Sequence, residues 1–182
     1  ASRPRVSRDG SIRRLLVSFG GVDATGEIAK TLEAVAPLAE IGMEVTVLAG
    51  SANPRFPQIA AQCAELPNVR LHDHVENVAE HMLRADAAIG AGGTSTWERC
   101  CLGLPTLVIT AADNQERLTE QAAREGAVRW LGRAAEVTPG MIREAVLAMM
   151  HHPADLARMS AQAMKLADGR GADRIVKELD LG

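Results

Sequence analysis

Residues 90 to 98 read Gly-Ala-Gly-Gly-Thr-Ser-Thr-Trp-Glu. Three glycines clear Cβ atoms from a turn, and Thr94, Ser95 and Thr96 bring hydroxyls to the place where a helix would start with free N–H groups. Such a turn is a cradle for a phosphate oxyanion. The competing reading is a glycine turn closed by an ordinary Ser/Thr cap. Arg99, just inside the helix, would either assist the anion or point outward into solvent. Glu98 carries a carboxylate that accepts two hydrogen bonds, as the vicinal hydroxyls of a ribose require; alone it would be an ordinary surface glutamate.

Three other segments carry similar chemistry. Gly20-Gly21-Val22-Asp23-Ala24-Thr25-Gly26 has the same glycine economy, but Asp23 and Glu27 suit a helix dipole and repel an anion. That loop therefore borders a sugar or hydroxyl, or else simply caps a helix. Asp113-Asn114-Gln115 joins a carboxylate to two amides of the kind that read sugar hydroxyls and acetamido groups. The alternative there is an N-cap by Asp113 with two exposed amides. Asp73-His74-Val75-Glu76-Asn77 is the fourth.

Several familiar chemistries fail on single residues. Gly21 and Gly26 have the Walker A spacing, yet Glu27-Ile28 stand where Lys and Ser/Thr are needed. Gly90-x-Gly92 opens like a dinucleotide fingerprint until Ser95 takes the third glycine position. Gly93-x-Ser95 opens like a nucleophile elbow until Trp97 replaces the closing glycine. His72, His74 and His81 lack a coordinating cysteine or a second spaced histidine pair, so no metal site is expected. Cys100 and Cys101 read as small packing residues, and nothing calls for a cofactor or supplies a catalytic group.

The elements that position these loops follow from hydrophobic periodicity. Apolar runs at Leu15–Phe19, Val45–Ala49, Val69–His72, Ala87–Gly90, Thr106–Thr110 and Val128–Leu131 predict buried strands. Helical patterns follow: from Thr25 through Ala39, Gln58–Leu66, Val78–Leu83, Ser95–Leu102 and Gln115–Arg124. Continuous apolar strands alternating with helices predict an α/β fold, a doubly wound, Rossmann-like parallel sheet of about six strands. Helices then close the chain: Met141–Met150 after Thr138-Pro139, one from His152-Pro153 to about Ala167, and Ile175–Leu179 beyond a break at Asp168–Gly171. In such a sheet ligands bind beyond the carboxyl ends of the strands, where strand order reverses.

Composition narrows the partners. The 182 residues carry 20 Lys+Arg against 23 Asp+Glu, a net charge of −3, with basic residues scattered. No Tyr and only two Phe and two Trp leave no stacking platform, so nucleic acid is not expected. Three cysteines without a Cys-x-x-Cys pair suit a reduced, cytoplasmic setting. No apolar run approaches the ~20 residues of a membrane span. Residues 1–11 read as a linker or a cut end ahead of one domain over 12–182.

Val17-Ser18-Phe19-Gly20-Gly21-x-Asp23, the run Ala88–Pro105 with its Trp-Glu-Arg-Cys-Cys, Asn114-Gln115 and Asp168-Gly169-Arg170-Gly171 resemble the C-terminal half of the UDP-sugar hydrolases of pseudaminic acid biosynthesis. More distantly the chain is similar to the nucleotide-binding domain of MurG-type N-acetylglucosaminyltransferases, which share the two-domain GT-B fold. The resemblance implies UDP or a UDP-linked amino-sugar in the cleft: diphosphate on Gly92, Gly93, Thr94, Ser95 and Thr96, ribose on Glu98, uracil by the backbone near Val75, and sugar near Asn114 and Gln115, with Gly20 and Gly21 bordering the site. In the hydrolases a Gly-x-Gly-His segment of an N-terminal domain supplies the catalytic histidine. This chain has no such segment, so the implied role is the UDP-sugar-binding half of a hydrolase whose N-terminal catalytic domain lies elsewhere. Two alternatives stay open: a GT-B glycosyltransferase donor domain, and a non-catalytic nucleotide-sugar-binding module.

Overall fold

The structure, a computed structural model, describes residues 8–171. Six strands, β1 (Arg14–Ser18), β2 (Glu44–Leu48), β3 (Val69–His72), β4 (Ala87–Ala91), β5 (Thr106–Thr110) and β6 (Arg129–Arg133), form one parallel sheet in the order β3-β2-β1-β4-β5-β6. Seven helices accompany them: α1 (Glu27–Glu40), α2 (Phe56–Glu65), α3 (Val78–Arg84), α4 (Ser95–Cys101), α5 (Asp113–Arg124), α6 (Pro139–His151) and α7 (Pro153–Leu166). The chain winds outward from β1 to β3, crosses back to β4, and winds out the other way. Strand order therefore reverses between β1 and β4.

The uniformly apolar strands are explained by two covered faces. Along β1, Leu15 and Val17 join Ile28, Leu32 and Val35 of α1, Ile59 of α2 and Ile142 of α6 in the larger core, while Leu16 turns the other way to Met82, Leu102 and Leu104. β5 divides in the same manner, with Leu107 and Ile109 in the larger core and Val108 packed with Cys100, Ala122 and Ala163. Side chains alternate across a strand with period two, so burial on both faces keeps the middle residues of β1, β4 and β5 free of charge and leaves polar side chains to the strand ends, at Arg14, Ser18, Thr106 and Thr110.

Element ends depart from the sequence reading where neighbours rather than periodicity decide them. β6 runs on to Arg133 because it is an edge strand, half-buried at its centre and exposed at both ends, so its apolar signal stops early. α5 begins at Asp113 with Ala112 as its N-cap, and no side chain caps it, so the alternative reading of Asp113 as an N-cap is not realised. Thr138 does cap α6, its hydroxyl accepting from the Met141 amide at 3.3 Å. The expected helix Ile175–Leu179 lies outside the described residues.

From Arg8 onward the N-terminal arm lies against the ends of two helices. The Arg8 guanidinium is buried and donates to the carbonyls of Met82 (2.9 Å), Ala85 (3.0 Å), Leu102 (2.8 Å) and Gly103 (2.7 Å). Met82 lies in the last turn of α3, Ala85 and Leu102 are the C-caps of α3 and α4, and Gly103 follows the second cap; carbonyls at such helix ends lack intrahelical donors. Burial lowers the guanidinium to about 10, with Asp86 opposing that fall, so the group remains charged at neutral pH. Asp86 itself accepts from the Arg13 and Arg14 amides, each at 2.9 Å, and from the Arg14 side chain. Arg8→Ala removes the guanidinium donor from the Met82, Ala85 and Leu102 carbonyls and leaves Gly103 O to the Ser160 hydroxyl at 2.6 Å; it is expected to cost about 2–4 kcal/mol of unfolding free energy, read by urea denaturation.

Candidate functional site

Beyond the carboxyl ends of β1 and β4 two glycine-bearing turns face each other across the reversal of strand order. The turn after β4, Gly92–Thr94, leads into α4. Thr96 N and Trp97 N donate back to Gly93 O (2.9 Å) and Thr94 O (3.0 Å). The amides of Gly93, Thr94 and Ser95 donate to no acceptor among the described residues. A short row of N–H groups is thus free at the rim.

The glycines do more local work than clearing the rim. A Cβ on Gly92 would stand 2.4 Å from Thr119 Oγ1 and 3.0 Å from Thr110 Cγ2, so this buried glycine lets α5 and β5 close on the turn. A Cβ on Gly90 would meet Ser18 O at 2.5 Å and Arg99 Nη1 at 2.7 Å. Only Gly93 has room, with Gln115 Nε2 at 3.7 Å from its missing side chain. Two of the three glycines therefore answer to packing rather than to a ligand's approach.

Arg99 is the residue whose placement the sequence left open, and the outward, solvated alternative is overturned. It lies 1% exposed between α4 and the sheet. Its Nη2 donates to Ala91 O at 2.6 Å and Thr96 Oγ1 at 3.0 Å, and its Nη1 to Ser95 Oγ at 3.1 Å. Burial lowers it to about 10, still protonated at neutral pH. The signal that could have revealed this was Gly90, a glycine inside a strand, which marks a close approach.

The remaining candidates divide. Thr96 is buried, its hydroxyl donating to Ala91 O at 3.2 Å while accepting from Arg99, so it supports the turn from beneath; Thr94 is exposed and Ser95 half-buried. Gln115 stands across the turn, its Oε1 held by the Ala111 amide at 3.0 Å and its Nε2 directed to Gly93. Asn114 and Glu98 are exposed, Glu98 on the first turn of α4. Val75 packs beside Leu48 and Met82 in the loop after β3.

In the β1 loop the cap reading of Asp23 is the one realised. This buried aspartate, at φ 44°, accepts from the Glu27 and Ile28 amides at 2.9 and 3.0 Å and satisfies the start of α1. Glu27 is buried too, and burial raises its carboxyl above the usual range against the pull of Lys30 at 2.9 Å. Gly20 and Gly21 remain exposed at the tip, and Gly21 O would lie 2.8 Å from a Cβ on Gly50, in the turn after β2. Sequence reasoning missed Arg55, which donates to Asp23 O (3.1 Å) and Ala24 O (3.3 Å) and clamps this loop.

Other features lead away from the reversal point. A recess of about 440 Å³ lined by Val128, Trp130, Met149 and Met159 opens at the starting end of β6, and none of the residues of the two turns lines it. His72 and His81 meet edge-on at 4.6 Å. Among the described residues no three His, Cys, Asp or Glu converge to hold a metal, and no helix is long and apolar enough to cross a membrane. The buried thiols of Cys63 and Cys100 are pushed up to about 11 by burial, which suits packing rather than nucleophilic attack.

Residues 15–175 match the glycosyltransferase family 28 C-terminal domain, and the chain belongs to that family. It is 30% identical over 166 residues, 90% of its length, to the spore coat polysaccharide biosynthesis protein SpsG of Bacillus subtilis. It is 27% identical over 98% of its length to a UDP-N-acetylglucosamine–N-acetylmuramyl-(pentapeptide) pyrophosphoryl-undecaprenol N-acetylglucosamine transferase of Sorangium cellulosum. It spans about half of each relative, 48% and 46%. Among solved structures it superposes on Acinetobacter baumannii MurG with a TM-score of 0.77 at 16% identity, covering 94% of this chain and 50% of that one. The C-terminal CMP-Kdo binding domain of WaaA from the same organism gives 0.65 at 17%, covering 86% of this chain and 90% of that one. These likenesses show the fold, that of a GT-B C-terminal domain.

The packing account of the glycine turn has a direct check. Gly92→Ala is expected to lower unfolding free energy by about 1–3 kcal/mol. Adding Thr119→Ala, which removes the nearest obstructing oxygen, is expected to recover part of that loss in a double-mutant cycle.

Proposed function

From the family membership and the geometry at the strand-order reversal, we propose that this chain is the donor-binding domain of a glycosyltransferase-type protein and holds a UDP-linked sugar. The observation that carries the reading is the row of unengaged amides at Gly93, Thr94 and Ser95, with the free end of Gln115 across it. Peptide N–H groups fixed by a turn bind phosphate oxygens without further reorganisation. On this reading the diphosphate rests on the Gly92–Thr96 turn, with Thr96 holding it from beneath. Glu98, exposed one turn along α4, takes the ribose hydroxyls. The uracil lies against the backbone near Val75, the sugar meets Asn114 and Gln115, and Gly20 and Gly21 close the opposite rim.

The whole protein's reaction belongs to the same proposal. A second domain across the cleft, of the size that the relatives have in addition, would present the acceptor or activate water. Between transfer to an acceptor hydroxyl and hydrolysis, the family match and the transferases among the relatives support transfer. The pseudaminic acid hydrolase resemblance rests on the motifs at Val17–Asp23, Ala88–Pro105, Asn114-Gln115 and Asp168–Gly171, without a family match behind it. The SpsG likeness supports a product destined for surface polysaccharide, and three cysteines with no Cys-x-x-Cys pair support a cytoplasmic setting.

Calorimetric titration tests the site. UDP is expected to bind and to raise the melting temperature. Glu98→Ala is expected to weaken UDP about tenfold, the equivalent of ~1.4 kcal/mol, and Gln115→Ala to weaken a UDP-sugar more than UDP. Equal responses to UDP, CDP and NAD would overturn the pocket assignment.

A further inference from the structure

The guanidinium of Arg99 is an anomaly of charge. It is 1% exposed, and its three recorded acceptors, Ala91 O, Thr96 Oγ1 and Ser95 Oγ, are all neutral. Its Nε is buried without a hydrogen-bond partner, and no carboxylate forms an ion pair with it among the described residues. The other deeply buried cation, Arg8, sits on four carbonyls at helix C-termini, where the partial negative charge of two helix ends compensates it. Arg99 lies instead under a turn whose amides present positive partial charge to the same spot. Glu98, the exposed neighbour on α4, pulls on Arg99 only through space and makes no contact with it, and a buried cation without a contacting counter-charge is among the costliest groups a fold can hold.

Resting on the reading of the turn as a diphosphate cradle, we propose that Arg99 is a positioning residue and the fixed counter-charge for the diphosphate of a nucleoside diphosphate ligand. It acts through Ser95 and Thr96, whose hydroxyls it orients from beneath. The ligand meets peptide amides and hydroxyls at the surface while the compensating charge stays inside. Gly90 is part of the device, because any side chain there would meet Nη1 at 2.7 Å and Ser18 O at 2.5 Å. Water cannot screen a charge so placed as it would a lysine on the rim, so the attraction persists in salt.

The experiment compares uridine, UMP and UDP by calorimetry on the wild-type chain, Arg99→Met, Arg99→Gln and Arg99→Lys. The wild type is expected to gain affinity with each added phosphate. Arg99→Met is expected to bind uridine within about twofold of wild type and to lose most of the phosphate-dependent gain, at least about tenfold for UDP. Arg99→Gln keeps donors without charge and is expected to behave as the Met variant does; Arg99→Lys is expected to restore part of the gain. Loss of uridine and UDP binding in equal measure, or retention of the full gain in a folded Arg99→Met or Arg99→Gln, would overturn the proposal. Should neither neutral variant fold, the wild-type Arg99 Nε–H resonance decides: it is expected to shift with UDP or pyrophosphate and not with uridine, and an unmoved signal sinks the idea. A wild type that binds uridine and UDP equally would instead refute the cradle itself.

Discussion

Every feature of the candidate site depends on one crossing: the Arg99 side chain running from α4 to the carbonyl of Ala91, the last residue of β4, at 2.6 Å. That contact fixes where the central strand stops and the turn starts. It dictates a glycine at position 90, on whose vacant side the guanidinium lies. It also commits the Thr96 hydroxyl to the protein, leaving the exposed Thr94 and the half-buried Ser95 to offer hydroxyls at the turn. The neighbouring constraint, α5 pressed against Gly92 through Thr119, holds the turn from the other side. A backbone clamped on two flanks presents its amides in a fixed direction, which is what anion recognition by peptide groups needs.

How much of this was legible in the sequence varies with the kind of force involved. The sheet was legible because burial on both faces writes itself as unbroken apolar runs, such as Leu15–Val17 and Leu107–Ile109. The reversal point followed from winding direction, and the glycine turn from composition. What could not be read was which partner each polar group would choose. Asp23 had two uses of similar merit, and only the position of the Glu27 and Ile28 amides decides for the cap. Arg99 had two directions open on a helix surface, and its inward course depends on a glycine in another element. Arg8 lay in a stretch so rich in arginine and poor in apolar residues that it read as a linker, yet one guanidinium there serves the ends of two helices more than seventy residues away.

The contrast between the two buried arginines shows why equal burial carries different meanings. Arg8 closes a set of carbonyls that the fold itself leaves open, so its charge is answered within the domain. Arg99 is answered by neutral oxygens alone. The loop after β1 follows the first pattern in reverse: Asp23 is answered by helix amides, Glu27 by Lys30, and the loop's outer carbonyls by Arg55. Of the groups around the reversal point, the amides of Gly93–Ser95 and the guanidinium behind them stand out as positive and without a carboxylate in ion-pair contact among the described residues, the exposed Glu98 acting on Arg99 only at a distance.

That local imbalance matters because the chain as a whole is mildly acidic, at −3, and offers an anion no long-range attraction. A surface lysine cluster would serve binding at the cost of attracting any polyanion, nucleic acid included. On the proposed reading, a charge sunk beneath a turn of bare amides would favour what can come into register with those amides. Selectivity for a compact diphosphate over an extended phosphate backbone would then be a property of the fold's geometry rather than of added specificity residues. On the proposed reading, discrimination between bases and between sugars would fall to Val75 in the loop after β3, Glu98 on α4 and Gln115 on α5, which stand on separate elements.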